Sequence, residues 1–491
     1  MPLDDMIDIG LGNLSALLRE RLPDEDARAR AGTLFYQRLS VLAHRLYGGV
    51  IQTAPRVGTW SPAWLNAWYT PGVSAVSTTI RDDGDASFEL TGRGNTVAVV
   101  SDSTRVLGDG DVTPPGGLGV MEGKAFLMKY LGGVDAVPLC VDSRGPDGLN
   151  DPERIIDFVK MVRHSFGAVN LEDISQPNCF RVLDGLRDAC DIPVWHDDAQ
   201  GTACVTLAGL MNAVELAGKR LTGVRVVLLG AGAANTTIAR LLMAVGCDPA
   251  DIVLLDRGGG LHAGRTDLES DPRAYRQWEL AKTTNPKRLS TPAEVLNGAD
   301  VLVALSTPGP DVVKPAWITS MASKAVVFAC ANPVPEIWPH AAREAGAFIV
   351  ATGRGDFPNQ VNNSLCFPGI LKGALLVRAR TISDGMAIRC ARSMAEFARG
   401  ADGYGPERIL PSMEDGGLYE RLAADTADQA RLEGVARRDL DRDRVHALAA
   451  ADIAASRRLF AGMMESGAIS RPPAAMLAEA FEWAVERTKG S

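Results

Sequence analysis

The chain has 491 residues, 46% of them hydrophobic and 23% charged, with 51 Lys and Arg against 60 Asp and Glu. That length accommodates about two to four domains and a sizeable core, and the ordinary composition excludes a disordered or fibrous chain. The net charge of −9 argues against a nucleic-acid partner, since such proteins usually carry a basic balance.

In chain order, residues 1 to about 50 read as helices, with Leu14, Leu17 and Leu18 and then Phe35, Leu39, Leu42 and Leu46 at helical spacing. Pro and Gly punctuate 55–72, which reads as loop. A short buried strand at 96–100 opens onto a Gly- and Pro-rich loop, 108–119, followed by a helix over 121–131 and a strand over 136–141. A helix over 151–165 precedes a strand at 168–171 that ends in Glu172-Asp173. Residues 193–196 repeat that form ahead of Asp197-Asp198, and a helix follows over 202–217. A strand–turn–helix–strand unit spans 224–256, with further buried strands at 301–305, 325–329 and 348–351. Strands alternating with helices predict an α/β fold of parallel sheets with helices on both faces. Residues 370–400, 418–438 and the tail 439–491 read as helical.

The basic residues are unevenly chosen. There are 10 Lys against 41 Arg, and only Lys124 and Lys129 fall in the first 159 residues. Arg stays protonated in a protein, whereas a buried Lys can act as a base. The eight Cys, at 140, 179, 190, 204, 247, 330, 366 and 390, form no CxxC. They read as reduced thiols of a cytoplasmic protein, with neither a zinc motif nor a disulfide framework. No signal peptide is expected, and no apolar run approaches the roughly 18 residues of a membrane span, so no membrane partner is expected.

Four groups of residues carry chemistry. Gly230-Ala231-Gly232-Ala233-Ala234-Asn235 follows a strand and opens a helix, and the next strand ends in Asp256. That is the dinucleotide fingerprint in context: Gly230 permits the turn, Gly232 lets a pyrophosphate approach the helix N-terminus, and Asp256 suits a ribose diol. Asn235 occupies a position usually held by Gly or Ala. Asp256 favours NAD, whereas Arg257 beside it would accommodate the 2′-phosphate of NADP. The acids Glu172, Asp173, Asp197 and Asp198 lie at strand ends, where open α/β sheets bind ligands. They would hold Mg²⁺ or Mn²⁺ or cap the helices that follow, and spacing leaves both open. Arg105 and Lys124 stand at the two ends of a loop; Arg105 at the strand end could clamp a carboxylate, Lys124 opens a helix, and each also reads as a surface charge. Asn332 and Asn363 offer neutral donors to a carboxylate or serve as turn residues.

Together these motifs resemble the malic enzyme family, especially its shorter bacterial type. The resemblance covers roughly Tyr69 to Ala398. It rests on Tyr69-Thr70-Pro71-Gly72-Val73, Val120-Met121-Glu122-Gly123-Lys124, Asn170-Leu171-Glu172-Asp173-Ile174, His196-Asp197-Asp198-Ala199-Gln200-Gly201-Thr202-Ala203 and Asn359-Gln360-Val361-Asn362-Asn363. It implies an oxidative decarboxylase of malate that uses NAD or NADP and Mg²⁺ or Mn²⁺, releases pyruvate and CO₂, and assembles as a homodimer or larger homo-oligomer. Carried over by motif, Tyr69 is the general acid. Lys124 is the general base, with a pKa lowered by burial and a cation, and Asp197 positions it. Glu172, Asp173 and Asp198 are the metal ligands, and Arg105, Asn332 and Asn363 contact the substrate carboxylates. Gly230, Gly232, Ala233, Ala234, Asn235, Asp256, Arg257 and Asn332 line the cofactor. The implied architecture is a Rossmann-type domain, 199–362, inserted in an α/β substrate and metal domain. The helical N-terminal segment with the tyrosine loop spans 1–90, the first part of the substrate domain 91–198, the return helices 363–438 and the helical extension 439–491.

Three departures stand out. Asp109 and Thr113 add polarity to the substrate loop, and Arg105 is uncommon in the bacterial type. The tail beyond about 435 matches no motif of the family. These features admit a modified malate as substrate, and a malolactic enzyme that releases lactate is the nearest rival.

Overall fold

The computed structural model describes residues 7–490. The chain divides into two compact units, one formed by 1–55 with 457–491 and the other by 56–456. In the first unit, helices Leu14–Arg21, Glu25–Tyr47 and Ala474–Lys489 bury Leu14, Leu17, Leu18, Phe35, Leu477 and Phe481 in one small core. Arg21 and Glu482 join the first and last helices through paired bonds of 2.8 and 2.9 Å.

The second unit contains two sheets. The first comprises β1 (Thr96–Ser101), β2 (Asp135–Cys140), β3 (Ala168–Leu171) and β4 (Val194–His196), all parallel, in the order β2-β1-β3-β4. β1, β3 and β4 are almost entirely buried, as their unbroken apolar runs require. The second comprises β5 (Val226–Leu229), β6 (Ile252–Asp256), β7 (Gly259–Gly260), β8 (Val301–Ala304), β9 (Val326–Ala329) and β10 (Ile349–Thr352), in the order β10-β9-β8-β5-β6-β7. The order reverses at β5, the switch point of a doubly wound sheet. Only the short β7 runs antiparallel, against β6; its two glycines carry no apolar pattern that could announce a strand.

The structure departs from the sequence expectation in three further places. The 55–72 loop contains a helix, Pro62–Trp68, capped by the Ser61 side chain and begun by Pro62. The helix carrying Lys124 starts at Thr113, not near 121, because Pro114 in its first turn is pre-set for helical φ. Lys124 therefore stands in mid-helix. The helical stretch 370–400 is interrupted between Phe367–Leu376 and Asp384–Arg399. Among the described residues, no helix is long and apolar enough to cross a membrane.

Candidate active site

The carboxyl ends of β3 and β4 deliver Glu172, Asp173, Asp197 and Asp198 to one place. None caps a helix. The helix after β3 begins only at Asn178, and Asp197 and Asp198 lie within the five-residue turn Asp197–Gly201. The capping alternative is thereby removed.

Lys124 is buried at the centre of this group. Its Nζ donates to Asp197 Oδ2 at 2.6 Å and lies 3.0 Å from Glu172 Oε1 and 3.4 Å from Asn363 Oδ1. The Phe367 ring sits 4.4 Å from the ammonium, where its negative face favours a cation. Burial alone would lower the Lys124 pKa, but Asp197 and Glu172 outweigh it, so the ammonium is held above the usual lysine range. Without a bound cation, two carboxylates within hydrogen-bond reach overcome desolvation; the expected lowering of the Lys124 pKa depends on the cation.

Glu172, Asp173 and Asp198 bring carboxylate oxygens within 4.8 Å of one another. Burial and mutual repulsion push Glu172 well above the carboxylate range and Asp173 up to about 8. Asp173 Oδ2 is buried without a hydrogen-bond partner, and the Asp173 backbone, at φ +52°, is held by its N–H donating to Asp198 Oδ2 at 2.8 Å. An oxygen-only cluster with an orphaned oxygen and excess negative charge fits a hard divalent cation. His196 is fully buried and neutral, its pKa lowered by burial.

Two residues hold the acids in place. Asn170 Nδ2 donates to Glu172 Oε2 at 2.9 Å, and Trp195 Nε1 donates to Asp197 Oδ1 at 3.0 Å. In both pairs, spaced i, i+2, the donor lies in the strand and the acid is the first residue after it. That spacing is visible in the sequence. Gly201 is obligatory, because a Cβ there would collide with Asp197 Oδ1.

The substrate-side residues are gathered unequally. Asn363 is in the cluster. The Arg105 backbone N–H donates to the Asp173 carbonyl at 3.0 Å, but its guanidinium bends back to the Leu107 carbonyl at 2.7 Å and is exposed. Asn332 is half-buried and lies against this loop; a Cβ on Gly108 would be 2.6 Å from its carbonyl oxygen. Asp109 and Thr113 point to solvent. Tyr69 is 66% exposed, and among the described residues its hydroxyl makes no hydrogen bond to this cluster. Asn359, at φ +58°, bonds the Val350 and Pro406 carbonyls and the Ile409 N–H, which is a structural role.

On the second sheet, Gly230 ends β5 at φ +97°, and a Cβ would strike the Leu305 carbonyl of the strand across the switch point. Gly232 faces open space ahead of helix Ala233–Ala244, leaving room for an anion at the free N–H groups of Ala233 and Ala234. Asn235 is buried and donates to the Leu229 and Gly230 carbonyls at 3.0 and 2.8 Å. It braces the glycine turn from beneath, so the polar residue does not disturb helix–strand packing. Asp256 is gripped by Arg265 through bonds of 2.9 and 2.8 Å and accepts the Gly258 N–H at 2.7 Å, whereas Arg257 is exposed. Arg265 and the fully buried Glu336, which accepts the Ser306 and Ala331 N–H groups at 2.8 and 3.0 Å, had no signal in the sequence. Their partners lie across turns between strands.

Comparison with known proteins places this geometry. A model of the malic enzyme N-terminal domain matches residues 59–187, and a model of the malic enzyme NAD binding domain matches 199–419. The NAD-dependent malic enzyme of Geobacillus stearothermophilus is 43% identical over 80% of this chain and 79% of its own length. The bifunctional malic/malolactic enzyme of Bacillus subtilis is 40% identical over 82% and 95%, and the NADP-dependent malic enzyme of Halomonas elongata 41% over 75% and 87%. The crystal structure of Entamoeba histolytica malic enzyme superposes with a TM-score of 0.96 at 54% identity and covers 99% of both chains. The tail beyond 435, which matched no motif, therefore has a structural counterpart. With both domain models matched in chain order and a solved relative aligned from end to end, the chain belongs to the malic enzyme family.

Proposed function

We propose that this chain decarboxylates malate oxidatively to pyruvate and CO₂, passing hydride to NAD, with Lys124 as the general base and Tyr69 as the general acid. The observation that carries this reading is Lys124 Nζ lying 2.6 Å from Asp197 and 3.0 Å from Glu172, beside the three-carboxylate cluster. Glu172, Asp173 and Asp198 would hold Mg²⁺ or Mn²⁺. A cation held there would supply Lewis-acid polarisation of the substrate and would offset the carboxylate charge that keeps Lys124 protonated.

Lys124 takes the C2 hydroxyl proton, and Asp197, itself fixed by Trp195, aims it. Asn363, Asn332 and Arg105 donate to the two substrate carboxylates. The turn at Gly230 and Gly232 seats the pyrophosphate at the N-terminus of the Ala233–Ala244 helix. Tyr69 returns a proton to C3 once CO₂ has left. The bifunctional Bacillus relative favours a second reading, release of lactate without net reduced cofactor. Turnover of malate with Mn²⁺, followed at the reduced-nicotinamide absorbance, separates the two: steady accumulation with pyruvate is expected, and lactate without accumulation overturns the oxidative reading.

NAD is the proposed cofactor because Asp256, held by Arg265 at the end of β6, stands where a carboxylate meets the ribose, and a carboxylate there repels a 2′-phosphate. We expect kcat/KM for NAD to exceed that for NADP, and Asp256→Ser to narrow the gap; a wild-type preference for NADP would overturn this assignment. The chain is proposed to act as a homo-oligomer. Trp60, Trp64, Leu65, Trp68 and Tyr69 form an exposed apolar segment in which Trp64 and Trp68 stack at 5.2 Å, the kind of patch that marks a protein interface.

A further inference from the structure

Besides the carboxylate cluster, one other group of described side chains converges closely enough to share an ion. It consists of Cys204, Cys366 and Cys390, whose sulfur atoms all lie within 4.8 Å of one another. We propose that these three cysteines form a structural site for a soft divalent cation of the zinc class, separate from the hard-cation site at Glu172, Asp173 and Asp198.

The geometry is close to that of a bound ion. Sulfurs held at about 2.3 Å in tetrahedral coordination lie about 3.8 Å apart, and Cys366 Sγ and Cys390 Sγ are 3.9 Å apart. All three residues are completely buried. A fourth group is at hand. Thr426 is also completely buried, with its hydroxyl directed at the Cys390 sulfur.

Charge decides the class of ion. Three thiolates with a divalent cation leave one net negative charge in the core, whereas a monovalent ion leaves two, and burial penalises each uncompensated charge. Sulfur donors also discriminate against Mg²⁺ and Mn²⁺. The ligands come from three segments: Cys204 from helix Thr202–Leu216, Cys366 from the residue preceding helix Phe367–Leu376, and Cys390 from helix Asp384–Arg399. The first segment directly follows the Asp197–Gly201 turn, and the second follows Asn363 and precedes Phe367, both of which lie against Lys124. An ion here would staple together the two segments that surround the base.

The test is a titration of the full, reduced, metal-free chain with Cd²⁺, followed by the thiolate-to-cadmium charge-transfer band, which carboxylate ligands do not produce. We expect the band to saturate at one equivalent, Zn²⁺ to compete it away, and Cys390→Ala to weaken binding by at least about tenfold. Cys247→Ala, outside the cluster, should leave the band unchanged. X-ray absorption of the ion bound to the unmodified chain is expected to count three sulfur neighbours, and it needs no variant to fold. A band absent at one equivalent, a shell of oxygen and nitrogen only, or binding of monovalent copper but not of Cd²⁺ or Zn²⁺ overturns the proposal.

Discussion

Lys124 and the segment around Tyr69 are built in opposite ways. Lys124 is buried, bonded to Asp197, in contact with Glu172 and Asn363, and covered by Phe367, and its partners are themselves held by Asn170 and Trp195. The helices Pro62–Trp68 and Val73–Asp82, which flank Tyr69, contain no buried residue. The base belongs to the core, and the proposed acid belongs to a surface. A core site is assembled by folding alone, whereas a surface acid requires a further contact to reach the substrate.

The largest expected effect tests the core side. Lys124→Ala should reduce malate oxidation by about 10²- to 10⁴-fold while nucleotide binding, measured by cofactor fluorescence, stays intact; substantial residual turnover would remove Lys124 from the base role. Next comes the surface side. Trp64→Ser together with Trp68→Ser should lower the solution mass and the activity together, without changing the thermal transition of the main core. If mass falls while activity holds, the contact that covers this segment does not serve Tyr69. Smaller still is Trp195→Phe, which leaves Asp197 Oδ1 without its donor and should cost about 1–3 kcal/mol of stability, read from urea unfolding, with a modest loss of kcat.

A further expectation concerns pH. Asp173 is pushed up to about 8 from an ordinary 3.8. Without a cation, the folded chain keeps a proton that the unfolded chain loses near pH 4. Stability should therefore decline as pH rises from about 4 toward 8. Mn²⁺ should displace that proton and reverse the decline. Calorimetry in two buffers of different ionisation enthalpy measures the release, and absence of proton uptake by buffer at pH 7 would contradict the raised Asp173.

Much of this was legible in the sequence because the decisive residues sit where strands end. The βαβ unit at 226–256 announced itself through unbroken apolar strands and Gly230, and the acids through their place after short strands. The helix at Thr113 was obscured because Pro114, Pro115 and the following glycines usually signal loop, although Pro is well suited to a first turn. Arg265, Glu336 and the Cys204–Cys366–Cys390 cluster were invisible for a different reason. Their partners are remote in sequence or across a turn, and no local period records such a meeting.

The paired spacing of Asn170 with Glu172 and Trp195 with Asp197 has a consequence for how this sequence can change. A pleated strand alternates faces at every residue, so losing or gaining a single residue in β3 or β4 would turn Asn170 or Trp195 to the opposite side of the sheet and displace the acid that leaves the strand just after it. Substitutions there cost a bond, but an insertion or deletion would evert the site. Length in these seven strand residues is therefore a stricter constraint than identity, and natural variation in β3 and β4 should take the form of replacement without change of length.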